Sequence, residues 1–244
     1  MIVLRREGTA VAEKICATVP TRGDHPDLLA NLVSNSQLPL ENFIIVRTSE
    51  CAVPAGVSVV DSFETLNIQT WWNAGIHSAE LAGADFIAVL NDDMAIGSGT
   101  IQRMVEEARA TGATIVTSGI SPRVFKSRFP VQRVLDGAIW LLDLKSDLRP
   151  DERFQWYFGD DDLDIRARRD HHGVSVIPLE YEHLHVGIRT NQSAELAGLT
   201  MGDRAEFRRL HPLPYYGRLT NRHFRKIGRP FKRIYMRMKE AISD

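Results

Sequence analysis

Residues Asp85 to Leu90, DFIAVL, form an apolar run that passes straight into Asn91-Asp92-Asp93. A strand that is apolar on consecutive rather than alternate positions is covered on both faces, as in a parallel sheet with helices on either side. Shorter runs of the same kind recur at Ile15–Val19, Phe43–Val46, Val57–Val60, Ala113–Thr117, Gly137–Leu144 and Val174–Leu179. Helical patterns fall between them: one opening near Asp24 and Pro26, one over Asn67–Ala82, one over Ser98–Ala110, and one from the acidic cluster at 160–164 to about Arg169. Asp24 and Ser98 are the expected N-caps, and Trp71 and Trp72 the expected core residues of their helix. The alternation predicts an α/β fold, a three-layer sandwich around a mainly parallel mixed sheet.

The order of these elements places polar residues where chemistry is easiest. In an open α/β sheet the loops separate beyond the carboxyl ends of the strands and leave a crevice. Asn91-Asp92-Asp93 stands at such an end, and two carboxylates there suit a hard divalent cation whose remaining ligands come from a phosphorylated substrate. A solvated turn is the competing reading. In Gly159-Asp160-Asp161-Asp162-Leu163-Asp164, four carboxylates crowd into five positions. Their repulsion is offset partly by the helix dipole, and at a site it would favour a general base. His183-Leu184-His185 follows the last strand, and its two histidines share a face only if the chain is extended there.

Composition narrows the class. With 43% apolar and 25% charged residues in 244, the chain reads as globular. Cys16 and Cys51 are its only cysteines and belong to no C-x-x-C pair, so a reducing cytoplasm is expected rather than a disulfide framework. No window reaches the roughly 20 apolar residues that span a bilayer. The charge is uneven: from Leu210 to Asp244 there are nine basic and two acidic residues, a net of +7 against -8 for the remainder. Residues 1–210 therefore read as the main domain and 211–244 as a basic C-terminal extension. In that extension Phe231, Ile234, Tyr235 and Met238 make one helical face apolar. Such a helix suits peripheral contact with the inner face of an anionic membrane, or packing on the acidic body. No nucleic-acid module is recognisable, and no specific nucleic acid is expected.

Taken in order, these pieces resemble family 2 glycosyltransferases of the GT-A (Rossmann-like) fold, over roughly residues 14 to 190. CATVPTRGDHPDLLANL resembles the opening strand, turn and helix, with Thr21 and Arg22 at the positions that approach the nucleoside. Trp72-Asn73-Ala74-Gly75-Ile76 resembles the segment beside the donor and offers Asn73. Leu90-Asn91-Asp92-Asp93 resembles the D-x-D motif, Asp93 as metal ligand and Asn91 or Asp92 facing the ribose or sugar. Asp136-Gly137 resembles the segment flanking the acceptor pocket. Asp161-Asp162-Leu163-Asp164 resembles the Glu-Asp motif, which implies Asp162 as catalytic base with Asp161 the next choice. His185, two residues before Gly187, matches the histidine completing the metal site. The second strand ends Arg47-Thr48-Ser49 where the family often carries a base-reading Asp.

The resemblance implies an inverting transfer from a UDP-, GDP- or dTDP-sugar to a hydroxyl of a glycan, lipid-linked or protein acceptor, assisted by Mn²⁺ or Mg²⁺. Trp156 and Tyr157 are candidates to stack on an acceptor ring. Two other functions use parts of the same sequence. A sugar nucleotidyltransferase also needs acidic metal ligands, but no Gly-rich loop with a following Lys stands near the N-terminus. A non-catalytic binding module would use the basic tail and leave the carboxylates as helix caps.

Overall fold

The computed structural model describes residues 13–63, 66–126, 133–183 and 194–211. His185 and Gly187, together with the basic extension beyond 211, lie outside the described residues. Eight strands form one sheet, in the order β3 (Ser58–Asp61), β2 (Phe43–Arg47), β1 (Ile15–Thr21), β4 (Phe86–Leu90), β8 (Ile139–Asp143), β6 (Ile115–Ser118), β9 (Val174–Ile177) and β7 (Arg123–Phe125). The first four are mutually parallel, β8 opposes both β4 and β6, β6 and β9 are parallel, and β7 closes the far edge antiparallel. This is the mixed, mainly parallel sheet that the alternation of apolar runs predicts.

Helices α1 (Pro26–Ser36), α2 (Ile68–Leu81), α3 (Thr100–Thr111) and α4 (Gly159–Asp170) connect and cover the strands, and α5 (Ala194–Leu210) follows them. Every residue of β4 is buried, as its unbroken apolar run requires. One face of the sheet packs Leu29, Leu32, Ile101 and Met104 of α1 and α3, and the other packs Trp72, Ile76 and Leu163 of α2 and α4. Trp71 and Trp72 are both core residues, Trp72 meeting Trp140 edge to face at 5.5 Å. Gly75 lets α2 touch β1: a β-carbon there would fall 2.0 Å from Thr18 Oγ1.

Local signals misplace two caps. Neither Asp24 nor Ser98 caps its helix; His25 and Gly99 hold those positions without side-chain bonds, Gly99 in the left-handed conformation at φ 76°. The working cap is Asn67, whose side chain accepts from the amides of Gln69 and Thr70 and starts α2. The short strands β5 (Met94–Ile96), β7 and β10 (Tyr181–His183), and α5, have no counterpart in the sequence reading. Among the described residues no helix is long and apolar enough to cross a membrane.

Gly75→Ala is expected to force α2 off β1, an overpacking cost of about 1–3 kcal/mol. Thermal unfolding should show it as a fall of roughly 3–10 °C.

Candidate active site

The parallel strands β1, β2, β3 and β4 all end at one edge of the sheet, and their loops are fastened there. The hydroxyl of Thr21 donates to Asp92 Oδ2 at 2.7 Å and accepts from the amide of Gly23 at 2.9 Å. The amide and hydroxyl of Thr48 both reach the carbonyl of Thr21, so the turns after β1 and β2 move as one. Burial raises the Asp92 carboxyl above the usual range; the Thr21 hydroxyl opposes this, and the neighbouring Asp93 charge adds to it. Arg22 is exposed on the turn, its carbonyl accepting from Ser49. At the end of β2, Arg47 grips Asp61 of β3 through Nε at 2.7 Å and Nη2 at 2.9 Å, and it faces the half-exposed ring of Phe63 at 5.7 Å. The carboxylate at this end of the sheet thus comes from β3.

Asp93 acquires its partner through a small second sheet. β5 begins at Met94, directly after Asp93, and pairs antiparallel with β10, setting His183 opposite Met94. The His183 ring nitrogen Nε2 then lies 3.0 Å from Asp93 Oδ1. His185, the metal-site histidine that the resemblance implies, lies outside the described residues; His183, its neighbour in the same His-x-His, meets Asp93 through the short strand MAI. Asp93 and His183 offer one carboxylate and one imidazole, and among the described residues no group of three or more His, Cys, Asp or Glu side chains comes together to hold a metal ion.

A third group faces the same edge. The amide of Asn91 bonds to the carbonyl of Ala138 at 3.0 Å, joining the acidic motif to the turn before β8. Gly137 in that turn lies against Asp160 of α4, where a β-carbon would come within 2.8 Å of the carboxylate. The first turn of α4 therefore stands beside the strand ends. Asp160 is ion-paired with Arg133, whose Nε is also 3.6 Å from Asp161. Asp161 and Asp162 are buried. Asp162 is held from two sides: Oδ2 accepts from Arg166 Nε at 2.7 Å, and Oδ1 lies 2.8 Å from Nε2 of His211. Asp164 is locked to Arg168 and to the amide of Val134.

The approach to α4 is built by α5. Asp203, on that helix and buried, accepts the successive amides of Gln155, Trp156 and Tyr157 at 2.9, 2.8 and 2.7 Å. Phe207 packs on Phe154 and Phe158, and on His211. The clamp holds Phe158 at φ 62°, a conformation that costs a bulky residue about 1–3 kcal/mol. Gly159 then presses on Gln69, leaving no room for a β-carbon. Trp156 and Tyr157 are half-buried, Trp156 standing edge-on to Trp71 at 5.8 Å. Asn73 is turned elsewhere: its amide donates to Pro150 and Glu152 in the loop before the clamp. Of the residues singled out in the sequence, the structure unites Thr21 and Asp92, sets Asp93 against His183, joins Asn91 to the turn before β8, and bonds Asn73 to Pro150 and Glu152. Asp203 and His211 were not foreseen, and Asp160 and His183 stood in their motifs without a role of their own, because each gains its role from a long-range contact.

No protein-family model and no curated protein sequence matches this chain. Solved structures do. TarS from S. aureus, residues 1-349, superposes with a TM-score of 0.52 at 13% identity, over 69% of this chain and 59% of that one. The same fragment in complex with UDP-GlcNAc gives 0.51 at 14%, over 80% and 66%, and in complex with UDP 0.50 at 14%, over 69% and 59%. The chain thus spans about three-fifths of the TarS fragment it resembles. The likeness establishes the fold, a GT-A-like sandwich.

Two substitutions test the geometry. Asp92→Asn keeps an acceptor for Thr21 but removes a carboxylate whose ionisation burial opposes. Because the folded pKa is raised, that ionisation weakens the fold at neutral pH and costs nothing once pH falls below the unfolded pKa. Asp92→Asn should therefore melt higher than wild type by about 1–3 °C near pH 7, the gap closing towards pH 3, by calorimetry. Asp203→Ala strips three amides of their acceptor and should cost about 2–4 kcal/mol in denaturant unfolding.

Proposed function

We propose that this protein is a glycosyltransferase that moves a sugar from a nucleotide-diphosphate sugar to an acceptor hydroxyl, with inversion at the anomeric carbon. The observation that carries this reading is the meeting of Asp93 and His183 beside the Thr21–Asp92 pair, at the carboxyl ends of β1 and β4. The fold shared with TarS, solved with UDP and UDP-GlcNAc, supports it.

In this reading the nucleoside lies over the turn at Thr21 and Arg22, with Asp92 and Asn91 accepting from ribose or sugar hydroxyls. Asp93 and His183 would hold a Mn²⁺ or Mg²⁺ ion, with His185 a further candidate. When bound, that ion supplies Lewis-acid stabilisation of the charge that grows on the departing diphosphate. The acceptor hydroxyl approaches from the side of α4, and a carboxylate of its first turn takes the proton. Asp162 and Asp161 are the candidates. Both are engaged within the fold, Asp162 by Arg166 and His211 and Asp161 beside Arg133, and Asp162 is the first choice with Asp161 the next. The nucleotide is open among UDP, GDP and dTDP, since Arg47 and Asp61 form the wall where the base would be read.

Thermal-shift measurements with UDP-, GDP- and dTDP-sugars, each with and without Mn²⁺, test the donor site. Stabilisation by one nucleotide that needs both metal and Asp93, and vanishes in Asp93→Ala, is the expected result. A folded wild type unmoved by every nucleotide with metal present would sink the reading. Asp162→Asn should lower turnover, measured as release of the nucleotide diphosphate, by about 10²–10⁴-fold with nucleotide binding kept. The same loss in Asp161→Asn alone would move the base to Asp161.

A further inference from the structure

Beyond β8 the same edge of the sheet forms a second hollow. β6 and β9 run parallel with Ser118 opposite Ile177, and past their carboxyl ends lies an open cavity of about 320 Å³. Its lining is Ser118, Gly119, Ile120, Pro178, Leu179 and Tyr181. The size stands at the lower end of the range for small-molecule sites. Its polar part is a closed triangle: Ser118 Oγ lies 3.0 Å from the Tyr181 hydroxyl, and the two reach Asp136 Oδ2 at 3.1 and 2.6 Å. The rest is carbon, with Ile120 fully exposed at the rim. A solvent-facing isoleucine beside a half-buried hydroxyl pair offers an apolar contact above and hydroxyls below.

Position relates this hollow to the first site. β6 is the second strand from β4, so at about 4.8 Å per strand the hollow begins roughly 10 Å from the donor crevice. Asp136, which anchors the triangle, also heads the turn that joins Asn91 to α4 through Ala138 and Gly137. A molecule seated on Ser118 and Tyr181 therefore extends towards the acidic turn at Asp160 and Asp161.

We infer that this hollow is the acceptor subsite, and that it takes a neutral hydroxylated ring carrying an apolar face, as in an aryl or deoxy glycoside. The inference rests on the transfer reading above. Hydroxyls of the ring exchange hydrogen bonds with Ser118 and Tyr181 while its carbon face covers Ile120 and Leu179. The Asp136 charge beneath the triangle selects against carboxylated or phosphorylated rings.

Ligand-observed saturation-transfer NMR of the full chain with millimolar p-nitrophenyl hexosides (gluco, galacto, manno, N-acetylglucosamino and rhamno forms) tests this. Wild type should bind at least one of them. Ile120→Asp, an exposed change that leaves the core untouched, and Tyr181→Phe should each weaken that binding tenfold or more. The UDP and Mn²⁺ thermal shift should survive both changes. Wild type that binds no hexoside, variants that bind as well as wild type, or p-nitrophenol binding as well as its glycosides would each overturn the inference. Loss of the nucleotide response in wild type, with hexosides still sensitive to Ile120→Asp, would instead overturn the transfer reading and leave a glycoside site.

Discussion

Strand β8 runs against both of its neighbours, and the arrangement of the site depends on that reversal. In a parallel sheet every strand delivers its carboxyl end to the active edge. A reversed strand delivers its amino end instead, and here that end is the turn Asp136-Gly137-Ala138. The turn touches the acidic motif through Asn91, the first turn of α4 through Asp160, and the Ser118–Tyr181 pair through Asp136. One short segment thus borders the acidic motif after β4, the first turn of α4 and the hollow beyond. Gly137 is required because α4's carboxylate occupies the space of its missing side chain.

The fold was legible where burial alone decides. β1, β2, β4 and α2 are long or apolar enough for their period to stand out, and the structure places them within a residue or two of their expected limits. Short elements were not legible. MAI, RVF and YEH are three residues each, and only their partners across the sheet make them strands. The caps failed for a related reason: Asp24 and Ser98 are good capping residues, but the chain enters α1 and α3 at angles set by packing.

The site was legible as chemistry and not as geometry. Motif order pointed to Asp92, Asp93 and the α4 acids, and the fold does bring the first two to the sheet edge with Thr21. Which histidine faces Asp93 depends on the register of β5 with β10, which local sequence does not carry. Which carboxylate of α4 meets His211 depends on a residue 49 positions further along the chain. Carboxylates three in a row look equivalent in sequence and become different through Arg133, Arg166 and His211.

That later helix bears on the order in which the protein can be made. A chain emerging amino end first completes all eight strands of the main sheet by Ile177, and domains form progressively as they are synthesised. The acidic turn at 158–162, although made earlier, acquires its clamp only when Asp203 and His211 arrive. The nascent protein therefore passes through a stage with a finished sheet and an unset acid turn. A premature stop between the end of the sheet and α5 would leave a scaffold whose strand ends are assembled but whose acidic turn is not.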